Sequence, residues 1–543
     1  MIPQPTHPRV VVIRNYPPNM ALLDIVGVTV TAVTTPSTLF LLLVASVTLF
    51  GVYVAVYTVS HRVPWPANAP PIALDNHPIT GSWGFWGRRW SWHRRQRDAT
   101  PSGNFTFHAG PNTIVGLSGD AGRRLFFESK DLAFGEGYAV LFGQSPKVEA
   151  LDVGEAEDHG SSDVDNHFTR RIVFFLKNEQ FRRKLPTLLA DTHEAMDAIG
   201  NDPAGVTNPF ESLYRIVFRL TIRMVGADDI ADDPRLLETT LALFETIEAS
   251  ATAASVMFPK VPSPALLRRT YAGTKLYFLI EGIVKKRAAS GEKRDDPLQY
   301  MLDQGDRTFR IIEFVVGALF AGLLNSGINA AWVACYLACS PEWLAKARDE
   351  VRAAAAKYAP GDPDDPSASA PLRHQLDHVP LEAWESEFPV IDMCLRDSIR
   401  LNLLGTAFRK NTSGRPVPTG HADEVIPPGA FVAYATGDIH LDPQVYPDPL
   451  KWDPARYLPD RAEDKKKPHA FVGWGTGRHP CLGVRFAKLE QNIITAYFIA
   501  SFDFSLEDEK GTKLTTPPQV DVERHSAHKP DPPQFLRVTP KYK

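Results

Sequence analysis

The strongest constraint on this chain is a glycine-rich stretch near its C-terminal end that holds a single cysteine. It reads Phe471-Val-Gly-Trp-Gly-Thr-Gly-Arg-His-Pro-Cys-Leu-Gly483. Apolar residues then recur at three- and four-residue spacing, at Leu482, Phe486, Leu489, Ile493, Tyr497 and Ala500. This spacing predicts that Cys481 lies where a loop enters a long helix. Backbone N–H groups and the positive end of a helix dipole stabilise a thiolate there, and glycine lets the backbone approach a bulky planar group.

This stretch resembles the haem-ligand loop of the cytochrome P450 superfamily, an aromatic-Gly-x-Gly-x-basic-x-Cys-x-Gly pattern. The corresponding positions here are Trp474, Gly475, Gly477, His479, Cys481 and Gly483. The resemblance implies that Cys481 is the axial ligand of the iron of haem b, with Trp474 and His479 beside the cofactor. The Gly-Arg-His-x-Cys order is similar to the branch of sterol demethylases, bile-acid hydroxylases and prostacyclin synthase. A structural cysteine in a glycine-rich turn is the alternative, which the constrained positions around it disfavour.

No charged residue occurs between Asp24 and His61. The core of that run, residues 39–59, is apolar and long enough to cross a bilayer. It exceeds a signal-peptide core, and no small-residue cleavage site follows it. We therefore predict a transmembrane anchor at residues 38–60, preceded by an N-terminal segment, residues 1–37, that contains an interfacial stretch. A buried core helix is the alternative, which the length of the run disfavours.

Basic residues set the predicted orientation of the anchor. Those after it are Arg62, Arg88, Arg89, Arg94, Arg95 and Arg97, against Arg9 and Arg14 before it. The positive-inside rule then places the body of the protein in the cytosol. The run Pro64–Pro71 predicts a stiff spacer, so residues 61–75 form a hinge and residues 76–543 the catalytic domain. Resemblance to microsomal members of the family implies the endoplasmic reticulum membrane.

Composition excludes several classes of protein. The net charge of −4 and pI near 6.5 give no reason to expect a nucleic-acid partner. The four cysteines are too few and too scattered for a disulfide framework and fit a reducing compartment.

Helical patterns dominate the body, including one helix from Leu381 to Leu401, and short β segments occur at Asn104–Leu117, at Gly405–Lys410 and after Phe502. The resemblance implies a mainly α fold with small β-sheets, the cytochrome P450 fold.

One long helix is apolar on nearly every face, from Phe314 to Ala338, and is predicted to run through the centre of the protein. Asp306-Arg-Thr308 is a candidate N-terminal cap for it. Its segment Ala321-Gly-Leu-Leu-Asn-Ser326 resembles the family's oxygen-activation signature, Ala/Gly-Gly-x-acid-alcohol. Leu324 stands at the position of the acid and Asn325 at that of the alcohol.

An amide holds a water molecule well but is a poor proton donor, which leaves three interpretations of Asn325. In the first, Asn325, Ser326 and ordered water deliver protons to bound dioxygen, and both residues are catalytic. In the second, the enzyme rearranges a pre-oxidised substrate and needs no proton relay. In the third, Asn325 satisfies a local break in the helix backbone. We favour the first interpretation.

Two further motifs resemble family elements that hold the haem-binding core together. Asp397-x-x-Arg400 corresponds to E-x-x-R, whose acid and base lie on one helix face. Pro454-Ala-Arg456-Tyr457 corresponds to P-E-R-F. The order of the motifs along the chain implies that Asp397, Arg400 and Arg456 form a structural ion-pair network.

Three more residues are candidates for binding the haem carboxylates. His167 and Arg171 have the spacing of the family's W-x-x-x-R pattern, with histidine in place of tryptophan. A solvated basic helix end explains that pair equally well. Arg409 lies in a β-like stretch where family position implies a propionate partner.

The resemblance implies a membrane-anchored monooxygenase that oxidises a lipophilic sterol, terpenoid or secondary metabolite with dioxygen. Electrons are expected from NADPH through the membrane-bound cytochrome P450 reductase, with cytochrome b5 as a second donor. One alternative is a haem-thiolate isomerase or dehydratase that acts on a peroxide without a reductase. Another is a non-catalytic membrane protein that binds haem or lipid.

Overall fold

The computed structural model describes residues 36–141, 163–359, 370–524 and 526–541. It divides into two compact units, Met1–Ser60 and His61–Lys543. The predicted interfacial stretch within residues 1–37 lies outside the described residues.

The described part of the first unit is a single helix, α1, Pro36–Ser60. It begins at a proline, whose fixed φ suits the first turn of a helix. It carries no charged side chain, and by length and composition it is able to cross a membrane. The predicted anchor at residues 38–60 coincides with this helix.

The second unit is mainly helical. The helices among its described residues are α2 (Gly84–Gly87), α3 (Arg89–Asp98), α4 (Gly119–Glu128), α5 (Phe134–Leu141), α6 (Asp163–Phe175), α7 (Asn178–Gly200), α8 (Pro209–Val225), α9 (Asp228–Asp232), α10 (Pro234–Ala249), α11 (Ala253–Met257), α12 (Pro264–Ser290), α13 (Pro297–Asp303), α14 (Thr308–Cys339), α15 (Pro341–Tyr358), α16 (Leu372–Gln375), α17 (Leu381–Ser386), α18 (Pro389–Asn402), α19 (Gly437–His440) and α20 (Val484–Ser501). Short 3₁₀ helices occur at Leu376–His378, Pro454–Tyr457 and Glu463–Lys465.

Small sheets complete the second unit. The largest has the order β1-β2-β3-β4-β10-β7-β5, in which β10 runs parallel to β4 and antiparallel to β7. The described strands are β1 (Asn76–His77), β2 (Gly81–Ser82), β3 (Phe105–Ala109), β4 (Asn112–Leu117), β5 (Leu132–Ala133), β6 (Val206–Thr207), β7 (Thr406–Asn411), β8 (Val417–Pro418), β9 (Val425–Ile426), β10 (Phe431–Ala435), β11 (Gly475–Thr476), β12 (His479–Pro480), β13 (Phe502–Glu507) and β14 (Phe535–Pro540). The three β segments predicted from the sequence correspond to β3 with β4, to β7, and to β13 with β14.

The hydrophobic core is built around α14, which packs against α8, α18 and α20. Its Trp332 is fully buried and donates its indole N–H to the backbone oxygen of His528 at 3.0 Å. Burying such a side chain stabilises the fold by about 1.5–3 kcal/mol. Asn208 caps α8 by accepting a hydrogen bond from the Phe210 N–H, and Pro209 occupies its first turn. The packing thus holds α14 beside the helix that follows the cysteine loop.

Two local predictions differ from the structure. The segment predicted as one helix from Leu381 to Leu401 forms α17 and α18, with the break immediately before Pro389. Proline lacks the N–H that an unbroken helix needs, which explains the break. Asp306 does not cap α14, whose N-cap is Arg307 without a side-chain hydrogen bond.

Candidate active site

The cysteine loop forms a tight hairpin in which β11 pairs with β12. Gly475 and Gly477 both have φ of +64°, the left-handed region that other residues rarely adopt. A Cβ atom at Gly477 would lie 2.3 Å from the backbone oxygen of Phe127. The glycine spacing therefore follows from backbone geometry and from close packing against α4.

Cys481 lies between this hairpin and the first turn of α20. Its N–H donates to the Trp474 oxygen at 2.7 Å, which closes the loop. Cys481 is solvent-accessible, yet neighbouring protein atoms desolvate the thiol and raise its pKa, while the N–H groups of Gly483 and Val484 oppose that rise. Those two N–H groups favour the thiolate, the form that binds metals. The predicted position of the cysteine at a helix start is what the structure contains.

Arg409 is a buried cation on β7. Its guanidinium lies 4.7 Å from the rings of both Phe126 and Phe134, and Nη1 donates to the Phe408 oxygen at 2.9 Å. Its Nε is buried with no hydrogen-bond partner, and no acidic side chain among the described residues forms a salt bridge with it. Burial lowers the pKa of Arg409 to about 10. A buried, unpaired guanidinium fits an anionic ligand, such as a carboxylate at the edge of a cofactor.

His479 lies close to Arg409. Its ring stacks on Phe134 with centroids 5.5 Å apart, and burial, then the charges of Arg409 and Arg478, lower its pKa. The indole nitrogen of Trp474 is buried without a hydrogen-bond partner. The structure therefore brings Arg409 and His479 together, while the Trp474 N–H remains available as a donor.

The middle of α14 is buried on most sides but not along one stripe. Gly317, Phe320, Ala321, Leu324 and Asn325 are partly or fully accessible, and their spacing places them on one helix face. The side-chain amide of Asn325 makes no hydrogen bond to any described residue. The third interpretation of Asn325 required a helix break, but α14 is unbroken from Thr308 to Cys339.

Two hydrogen bonds fix the backbone of α14 at this stripe. Asn329 Nδ2 donates to the Asn325 oxygen, and Gln491 Nε2 of α20 donates to the Ser326 oxygen, each at 2.9 Å. The hydrogen bond from Gln491 to the backbone of Ser326, the residue after Asn325, joins this part of α14 to the helix that begins after Cys481.

His167 and Arg171 lie on α6, and their ion pairs are with Asp306. Arg171 binds both carboxylate oxygens of Asp306 at 2.8 Å, and His167 Nε2 lies 3.3 Å from Oδ1. Burial raises the pKa of Asp306, but the hydrogen bonds from Arg171 and the nearby His167 ring outweigh it and bring the pKa below its usual value. Arg171 therefore differs from Arg409, which has no acidic partner in the described part of the chain.

Comparison with known proteins decides the family. The cytochrome P450 family model matches residues 204–527. This chain belongs to the cytochrome P450 family. It is 36% identical over 477 residues to the cytochrome P450 monooxygenase AacuE of Aspergillus aculeatus, an alignment that covers 87% of this chain and 93% of the relative. It is 35% identical to the cytochrome P450 monooxygenase nsrP of Aspergillus novofumigatus, with 88% and 91% covered.

More distant relatives agree with this assignment. The obtusifoliol 14-alpha demethylase of Sorghum bicolor is 27% identical over 61% of this chain and 65% of the relative. The solved structure of retinoic-acid-bound cyanobacterial CYP120A1 superposes with a TM-score of 0.62 at 18% identity, covering 87% of this chain and all of that one. The predicted family and fold are confirmed, and so is the prediction of a cytochrome P450 monooxygenase.

Membership of the cytochrome P450 family implies haem iron, and the residues present fit that cofactor. The accessible Cys481 thiol at a helix start suits the iron, and the buried, unpaired Arg409 suits the haem carboxylates. The Trp474 N–H adds a further donor. The thiol thus fits the haem iron, and the unpaired cation fits the haem carboxylates.

The Asp397–Arg400–Arg456 network of this P450 is fully buried. Arg400 Nε lies 2.6 Å from Asp397 Oδ1, and the guanidinium also donates to the backbone oxygens of His440, Pro449 and Lys451. The shorter aspartate still reaches its arginine. The network therefore ties α18 to the irregular segment before the ligand loop.

Two members of this network were not predicted. Glu463 binds Arg456 Nη1 at 2.8 Å, and the Tyr457 hydroxyl donates to Asp397 Oδ1 at 3.1 Å. Tyr457 is the last residue of the Pro454–Tyr457 motif, so the motif could have predicted that it belongs to the network. Glu463 lies outside any of these motifs, so the sequence did not indicate its role.

Proposed function

We propose that this cytochrome P450 is a membrane-anchored monooxygenase that oxidises a lipophilic secondary metabolite, terpenoid or sterol. It uses dioxygen and electrons from NADPH through cytochrome P450 reductase, with cytochrome b5 as a second donor. The observation that carries the proposal is the Cys481 thiol at the start of α20 together with the unpaired guanidinium of Arg409. The fungal monooxygenases that match most of this chain support the same reaction class.

In this proposal, the Cys481 thiolate binds the haem iron, and the N–H groups of Gly483 and Val484 stabilise its charge. Arg409 and His479 bind the haem carboxylates, and the Trp474 indole packs beside the cofactor. His167 and Arg171 contribute less, because both are already paired with Asp306. Bound haem supplies the activation of dioxygen.

The accessible stripe of α14 faces the substrate in this proposal. Gly317, Phe320, Ala321 and Leu324 present an apolar surface, which suits a lipophilic molecule. Asn325 holds a water molecule at its free amide, and the Ser326 hydroxyl extends the path along which protons reach this water. Leu324 exchanges no proton, so ordered water carries the relay that an acid would otherwise provide.

Two observations support the proposed membrane anchor and the proposed location of the body in the cytosol. Helix α1 is long and apolar enough to span a bilayer. The two possible N-glycosylation sites, Asn104 and Asn411, are buried, and their side-chain amides donate to Glu424 and to backbone oxygens. Neither is open to modification in the folded protein, which agrees with a body on the cytosolic side of the endoplasmic reticulum.

A second candidate function is a haem-thiolate isomerase or dehydratase acting on a peroxide. One observation favours it, the replacement of the acid and alcohol by Leu324 and Asn325. Such a reaction needs neither reductase nor dioxygen, so the two candidates differ in what they consume.

The test is turnover under isotopically labelled dioxygen, in membranes that contain the full chain with and without the reductase. A monooxygenase gives new products that carry the label only when reductase and NADPH are present. Unlabelled, rearranged products formed without reductase would replace the proposal with the isomerase. The masses of labelled products would narrow the substrate class.

A further inference from the structure

Two histidines and an aspartate meet at a place remote from the haem ligand loop. His193 lies on α7, His374 on α16 and Asp377 on the 3₁₀ helix that follows. Their potential metal-binding atoms all lie within 4.8 Å of one another. Asp377 accepts a hydrogen bond from Tyr497 of α20. Tyr497 lies about 20 Å along α20 from the first residue of that helix, at a rise of about 1.5 Å per residue.

The three side chains converge around the carboxylate. His193 Nε2 lies 2.7 Å from Asp377 Oδ1, and His374 Nδ1 lies 3.7 Å from Oδ2. The imidazole rings are nearly parallel, with centroids 4.7 Å apart and 18° between their planes. Each ring nitrogen therefore approaches a different oxygen of one carboxylate.

The surroundings of the cluster suit a bound cation. The Tyr497 hydroxyl donates to Asp377 Oδ1 at 2.5 Å and orients the carboxylate. Arg373, which directly precedes His374 in the sequence, is paired with Asp197. The His374 side chain is half-exposed, so an ion and water can reach the cluster.

We propose that His193, His374 and Asp377 form a binding site for a divalent transition-metal ion, with Zn²⁺ as the ion that best matches two imidazoles and one carboxylate. Water completes the tetrahedron. Donor atoms at Zn–N and Zn–O distances near 2.1 Å lie roughly 3.4 Å apart. Small side-chain rotations bring the present donors to that spacing.

Metal binding changes the hydrogen bonding within the cluster. To bind the ion through Nε2, His193 gives up its hydrogen bond to Asp377 and carries its proton on Nδ1 instead. The bound ion joins α7 to the segment directly after residues 360–369, and through Tyr497 to α20. It therefore stabilises the fold, independently of the haem reaction.

The test uses the haem-loaded full chain in detergent, purified without a polyhistidine tag. Zn²⁺ is titrated into the protein and its binding is followed by calorimetry. Metal analysis after dialysis then gives the stoichiometry of bound Zn²⁺. We expect one equivalent of Zn²⁺ and a higher unfolding temperature when it is bound. The variant His374→Ala should bind Zn²⁺ at least tenfold more weakly. His378→Ala is the matched control, because His378 is exposed in the same segment and outside the cluster, and it should bind like the wild type.

An unchanged haem–CO spectrum in His374→Ala shows that the variant is folded, so weak binding there reports the loss of a ligand. Equal Zn²⁺ affinity in wild type and His374→Ala overturns the proposal. Absence of stoichiometric binding to the wild type overturns it as well.

Discussion

Arg456 forms its closest ion pair with Glu463, whose Oε2 lies 2.8 Å from Nη1, while its Nε is 3.8 Å from Asp397. Asp397 is instead bound by Arg400, by the Tyr457 hydroxyl and by the N–H of Asp453. Each of the two buried arginines thus has its own buried carboxylate as its closest counter-charge. The sequence motifs contain only one of these carboxylates.

Replacing Glu463 with Gln should destabilise the protein by about 3 kcal/mol, because it leaves the buried Arg456 without its nearest counter-charge. Denaturant unfolding followed by the haem absorption measures this change. The control Glu382→Gln breaks an exposed pair with Arg182 and should leave the unfolding midpoint unchanged. Equal midpoints for both variants would show that Glu463 contributes no more than a surface charge.

Replacing Arg409 with Gln should reduce haem retention, because this variant removes the buried guanidinium assigned to the haem carboxylates. Arg171→Gln should reduce it less, since Arg171 is already bonded to Asp306. The ratio of haem to protein after gel filtration measures both. A larger loss of haem in Arg171→Gln than in Arg409→Gln would show that the principal contact with the haem carboxylates comes from α6.

Replacing Asn325 with Ala should lower the product formed per NADPH by about tenfold, because the water that relays protons loses its anchor. Hydrogen peroxide release should rise correspondingly. Asn325→Thr, which restores an alcohol, should keep coupling near the wild-type level. If Asn325→Ala is fully coupled, the relay does not depend on this side chain.

Glu350 should make stability depend on pH. It accepts the N–H groups of Val390 and Ile391 at the start of α18, and burial, which those bonds only partly oppose, raises its pKa to about 7. Folding therefore favours the protonated carboxyl. The free energy of unfolding falls as the pH rises from the pKa that Glu350 has in the unfolded chain to its pKa of about 7 in the folded protein.

The variant Glu350→Gln lacks this titration, so its unfolding temperature should exceed that of the wild type more at about pH 8 than at about pH 5. Glu342→Gln on the same helix is exposed and serves as the control. Parallel pH profiles for wild type and Glu350→Gln would contradict the raised pKa.

The features that the sequence predicts correctly are those that depend on neighbours in the chain. The cysteine hairpin, the start of α20, the long buried α14 and the Asp397–Arg400 pair each depend on residues a few positions apart, whose periodicity or motif is visible directly. The break before Pro389 belongs to the same class, and the proline itself was the missed signal.

Contacts between distant segments were not visible. Arg171 and Asp306 are separated by 135 residues, and His193 and Asp377 by 184. Only the packing of helices determines which of several acidic residues a given cation meets. The spacing of His167 and Arg171 suggested a haem contact, whereas their ion pair with Asp306 depends on where α6 meets the start of α14.

The role of Cys481 as the iron ligand is tested by the absorption spectrum of the reduced, CO-bound protein, wild type against Cys481→His. The substitution replaces the thiol with an imidazole, so that a nitrogen ligand is available to the iron instead of sulfur. We predict a thiolate-type spectrum for the wild type, and a histidine-type spectrum without monooxygenase activity for the variant. A thiolate-type spectrum that persists in Cys481→His would show that another cysteine binds the iron and would contradict the assigned site.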